Sequence, residues 1–140
     1  MGRLIKTETA GKDRMRLMRS LAWSLKTLTQ HNDLNQEAKD ILAYIVLVLR
    51  EIATTIDLSV AAWEKRGYWV KADRFRNEWL WSMTPGTDLY NNLKLENWTE
   101  VSNLIAKVAE KTSHLKLPSR GSITQTSWVG SWKYLFEKES

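Results

Sequence analysis

Between Asn35 and Gly67 the chain carries one long apolar stripe, and this constrains the fold more than any other feature. Ala38, Ile41, Leu42, Ile45, Val46, Val48, Leu49, Ile52, Ala53, Ile56, Val60 and Trp63 cluster at 100° per residue. Lys39, Asp40, Arg50, Glu51, Asp57 and Lys65 fall largely on the opposite side. The β-branched run Ile45–Val48 could suggest a strand, but strands of this length are rare and burial overrides weak helix propensity. The stripe therefore predicts a long amphipathic helix that must be covered on its apolar side. Asn32, Asp33 and Asn35 can each cap its start.

Its neighbours follow from the same periodicity. Leu17, Met18, Leu21, Ala22, Leu25 and Leu28 predict a first helix over about Lys12–Thr29. The short connection at 30–34 sets it antiparallel to the long helix. At Gly67 the pattern changes phase, and Tyr68, Ala72, Phe75 and Trp79 begin a new stripe. An unbroken helix from 35 to 82 would be about 70 Å long, so a break or kink near Gly67 is expected. Thr84-Pro85-Gly86-Thr87 reads as a stop, followed by a short helical turn over Asp88–Lys94. Asn97 and Glu100 form a capping pair opening a helix with Val101, Leu104, Ile105, Val108 and Ala109 inward, ending near Thr112. Pro118 and Gly121 mark a loop, after which Trp128, Trp132, Leu135 and Phe136 suggest a terminal segment docked on the bundle. The expected fold is all-α: a four- or five-helix bundle-like single domain of 140 residues with a long central helix, residues 1–10 forming a flexible arm.

Composition narrows the chemistry. With no Cys, disulfides, thiolate catalysis and Cys-based metal sites are excluded. His31 lies in a helix connection and His114 in a polar stretch, and no Glu-x-x-His or His-Glu-x-x-His occurs. Glu37 and Asp40 are three apart, but no second acidic cluster accompanies them, which disfavours magnesium-dependent pyrophosphatase chemistry. Gly67 stands alone, without a phosphate-loop or dinucleotide pattern. Neither a cofactor nor a metal site is expected. No secretory h-region is visible, the longest apolar run, Ile41–Leu49, is too short to span a bilayer, and a cytoplasmic setting is expected.

Two places remain as candidate sites. Residues 1–31 hold seven Lys/Arg against Glu8 and Asp13, so this quarter alone carries the net +5. Lys12, Arg16, Arg19, Trp23 and Lys26 recur at spacings of three and four and line one side of the first helix. Such a face suits nucleic acid or another polyanion, with cations releasing counterions and Trp offering a stacking platform. The second place is the block from Trp63 to Trp81, where rings alternate with cations. Tyr68, Phe75 and Trp79 group together, while Trp69 and Trp81 point elsewhere. Arg, Trp and Tyr dominate interface hot spots, so Trp63, Arg66, Tyr68, Trp69, Arg74 and Trp81 form a candidate interaction surface, with a homodimer as the expected assembly. The expected function is a non-catalytic helical interaction protein, with polyanion binding by the first helix as the alternative.

Overall fold

The long stripe does become the central element. The computed structural model describes residues 9–115 and 127–138. Helix α1 spans Ala10–Leu28, α2 Gln36–Lys65, α3 Trp69–Glu78, α4 Leu80–Lys94, α5 Trp98–Thr112 and α6 Ser131–Lys133. A single π turn, Tyr134–Lys138, continues α6. The described residues thus form six helices with no strand, one short helix more than the sequence suggests. Residues 1–8, which include most of the expected arm, and 116–126, which hold Pro118 and Gly121, lie outside them. No described helix is long and apolar enough to cross a membrane.

Helix α2 packs against α1, α3, α4 and α6, and its most extensive neighbour is α1. Asn35 caps it, accepting a hydrogen bond from Ala38 N at 2.8 Å. Ile41, Ile45, Leu49, Ile52 and Ile56 are fully buried, and Leu17, Met18, Leu21 and Leu25 of α1 meet them in one core. Leu89 and Leu93 of α4 and Val101, Leu104 and Val108 of α5 close it.

The polar side of α2 needs correction at Asp40. This carboxylate is buried, not solvated, and it accepts hydrogen bonds from the backbone N–H groups of Gly130 (3.3 Å) and Trp132 (3.0 Å). Helix α6 has no capping side chain of its own, so Asp40 caps it from another element. Leu135 and Trp128 are buried, and Trp128 meets Tyr44 edge-on at 6.4 Å. Burial raises the Tyr44 phenol above its ordinary range; a Ser20 hydrogen bond lowers it and the nearby Glu51 charge raises it. Phe136 stacks on Tyr90 at 5.2 Å and meets the tilted Trp132 ring at 4.5 Å. Ala43 and Leu47, outside the predicted stripe, are buried as well.

The break at Gly67 has a defined form. Tyr68 N donates to Trp63 O and Gly67 N to Glu64 O, with Gly67 at φ +83. This pair of bonds is a Schellman motif with glycine at its left-handed position. Helix α4 ends the same way: Asn97 N donates to Asn92 O and Glu96 N to Leu93 O, but the left-handed residue is Glu96, φ 56. A side chain in that conformation costs about 1 kcal/mol. Opposite effects are therefore expected from two substitutions. Gly67→Ala, whose new methyl group would meet nothing within 4 Å, lowers stability by about 1 kcal/mol through the backbone alone. Glu96→Gly raises it by roughly 0.5–1 kcal/mol. Thermal unfolding of the two variants checks both signs.

The stop expected at Thr84–Thr87 is not there. These residues lie inside α4, and the chain breaks earlier, at Trp79 between α3 and α4. Ser82 N and Oγ both donate to Trp79 O and close the new first turn. Pro85 lies in the second turn of α4, where its missing N–H leaves the Trp81 carbonyl without its helical partner. Gly86 faces α2, and a Cβ there would rest 3.5 Å from Leu49 Cβ. The Pro-Gly pair therefore marks a close helix approach, not a turn.

Candidate interaction surface

Where α2 turns into α3, the block from Trp63 to Trp81 divides into an inward and an outward set. Trp63 meets Phe75 edge-on at 4.8 Å, Phe75 meets Trp79 at 6.2 Å, and Trp79 stacks on Trp81 at 5.8 Å. These four rings form a half-buried ladder against the core. Trp63 and Trp81, expected on the interaction surface, are thus largely spent on packing within the chain. Trp81 joins the ladder because the break at Trp79 changes the helical phase on which the sequence reading relied.

Arg14 ties the ladder to the core, and the sequence reading missed it. Its guanidinium sits 4.7 Å from the Phe75 ring centre and 5.5 Å from that of Trp79. Nε donates to Thr55 Oγ1 at 3.2 Å, and one terminal nitrogen donates to Thr55 O at 3.1 Å and Ser59 Oγ at 2.6 Å. One side chain therefore joins α1, α2, α3 and the α3–α4 break. Burial pushes its pKa below the ordinary guanidinium range, and the hydroxyls, the carbonyl and the ring faces receive the charge. The signal was available: Arg14 lies three, four and seven residues before Leu17, Met18 and Leu21, on the apolar face.

The outward set is different. Tyr68 is 54% exposed, Trp69 63% and Val70 68%, in three consecutive positions. Lys65, Arg66, Lys71 and Arg74 are exposed around them. Tyr68, expected to group with Phe75 and Trp79, instead lies outside because it precedes the first helical residue of α3. Within α3 only Ala72 is fully buried. Gly67, Tyr68, Trp69, Val70, Lys71 and Arg74 line an open depression. A second open depression shares Trp69, Val70 and Arg74 and adds Glu64, Asp73 and Arg76. In it, Arg76 pairs with Glu64 at 3.3 Å and Asp73 at 3.6 Å, so one cation is shared by two carboxylates, against which Lys65, Arg66, Lys71 and Arg74 remain in excess. Lys71 Nζ lies 5.0 Å from the Trp63 ring centre. The corner thus joins uncovered apolar area to a local excess of cations. Val70, the most exposed of the three, was absent from the predicted set.

The α1 stripe is also open. Lys12, Arg16, Arg19 and Lys26 are exposed and Trp23 is half-buried. Arg16 pairs with Asp13 at 3.5 Å, and Lys26 Nζ lies 4.8 Å from the Trp23 ring centre. The two histidines sit apart from each other: His31 meets Glu37 at 3.1 Å, and His114 borders a depression with Met15, Met18, Trp79 and Trp81. Among the described residues no three His, Asp or Glu converge as a metal-binding group.

Comparison of the chain with protein-family models, curated proteins and solved structures returns no match.

Proposed function

We propose that this is a non-catalytic interaction protein that docks through the α2–α3 corner, Arg66, Tyr68, Trp69, Val70, Lys71 and Arg74, onto an anionic partner. The observation that carries this reading is three consecutive large side chains left open amid exposed cations. An isolated exposed apolar residue is ordinary, but a run of three is not. Trp and Tyr bury much area at low entropic cost, and Arg adds directed hydrogen bonds.

A homodimer through the same corner is the competing arrangement. It would set Lys65, Arg66, Lys71 and Arg74 of each copy against those of the other, a repulsion that salt relieves. Docking on an anionic partner has the opposite sign and weakens with salt. Sedimentation at low and high salt separates the two. A dimer that tightens with salt and dissolves on Trp69→Ala would assign the corner to self-association.

The α1 stripe supports a second reading, a polyanion-binding face of Lys12, Arg16, Arg19 and Lys26 beside Trp23. Retention on immobilised heparin decides between the two surfaces. Arg66→Ala with Arg74→Ala is expected to lower the eluting salt concentration more than Arg16→Ala with Arg19→Ala. The reverse order would move the contact surface to α1.

A further inference from the structure

Resting on that reading of the corner, we infer that its partner is an anionic lipid surface, with Tyr68, Trp69 and Val70 entering the headgroup region and Lys65, Arg66, Lys71 and Arg74 held at the phosphates. The first argument is residue type. Tyr and Trp have an apolar body and a polar tip, which suits the boundary between hydrocarbon and water. Lys and Arg lay their stems along apolar surface and raise their charges to the headgroups.

The second argument is Val70. A base stacks on Trp or Tyr, but an aliphatic side chain offers no stacking face. Val70 is nevertheless the most exposed of the three, at 68%. Hydrocarbon is the environment that favours it.

The third argument is shape. Tyr68, Trp69 and Val70 are consecutive, and successive side chains at the start of a helix point in different directions. All three border one open depression at the corner. This depression and the one beside it are open to solvent, so the three side chains are reachable from outside together. A bilayer interface is deformable and can surround three adjacent exposed side chains at once. The charge excess selects anionic lipid over neutral lipid, because each cation near such a surface contributes separately.

The test is co-sedimentation of the full chain with phosphatidylcholine vesicles, with and without phosphatidylserine. Binding is expected only with phosphatidylserine, weakening as salt rises. Trp69→Ala is expected to reduce partitioning about tenfold. Arg66→Ala and Arg74→Ala should each reduce it roughly fivefold. Insertion itself is read at one position. The chain has no Cys, so Val70→Cys carries a single environment-sensitive fluorophore. Its emission is expected to shift to the blue on vesicles. The same probe at Ser102→Cys, on α5 beside the N-terminal end of α2, is expected not to shift.

Vesicle binding with an unshifted probe at Val70→Cys would overturn insertion. Corner-dependent heparin retention without vesicle binding would overturn the lipid assignment and leave the docking corner standing. Loss of both would end both.

Discussion

Arg14→Ala is expected to cost about 3 kcal/mol of stability, more than any other single change outside the apolar core. The figure combines two effects. Truncating the side chain removes hydrogen bonds from a charged group, each worth about 1.5–3 kcal/mol. It also leaves a gap beside Phe75 and Trp79, where the guanidinium packs at 4.7 and 5.5 Å from the ring centres. Arg14→Lys should recover little, because an ammonium cannot fork to Thr55 and Ser59 while lying flat on two rings. Arg14→Met separates packing from charge. It fills much of the volume without the cost of a buried cation, and should recover more than Lys. Urea unfolding of the three variants gives the order, expected as Ala least stable and Met nearest the wild type. Lys equal to the wild type would show that charge alone matters at this position.

Asp40→Ala is expected to release the C-terminal segment while the rest of the bundle stays folded. The carboxylate receives two backbone N–H groups at the start of α6, and charge-assisted bonds of this kind are stronger than neutral ones. Removing it leaves those donors without their acceptor and weakens docking by about 2 kcal/mol, roughly thirtyfold in the opening equilibrium. Trp128 adds to the segment's vulnerability, since its buried indole N–H has no hydrogen-bond partner among the described residues. Hydrogen exchange should therefore speed up by that factor across 127–138 and remain unchanged across 41–56. Acceleration spread evenly over both would mean that the segment opens only with global unfolding.

The central helix was legible because its signal is redundant. The apolar stripe, the Asn35 cap and the Gly67 stop all predict the same element, and any two would have sufficed. The break at Gly67 was readable because glycine alone among neighbouring residues takes a left-handed turn at little cost. The break at Trp79 was not. Nothing in Glu78-Trp79-Leu80 disfavours helix locally, so the turn there comes from packing of α3 and α4 against α2. The Pro85-Gly86 pair misled for the converse reason, because local punctuation yielded to close packing at Leu49.

The site was legible by composition and not by phase. Cations and rings around 63–81 announced a contact surface, but which rings face outward depends on where the helices break. Trp69 stayed in the predicted set because it opens α3, and Trp81 left it because the Trp79 break turned it onto the ladder. Asp40 and Arg14 were hidden differently. Each is a charged residue satisfied by an element distant in sequence, and periodicity reports which side a residue faces, not what waits there.

The most direct test of the docking corner uses the tryptophans themselves. The eight indole N–H groups give separate nitrogen-15 resonances, assignable by single Trp→Phe substitutions. Trp69 reports on the corner and Trp23 on the α1 stripe, and the protein is titrated with lipid nanodiscs containing phosphatidylserine. The Trp69 resonance is expected to shift or broaden first, with Trp23, Trp79 and Trp128 following only as the whole particle tumbles more slowly. Perturbation that begins at Trp23 and leaves Trp69 unchanged would contradict the account and assign docking to α1.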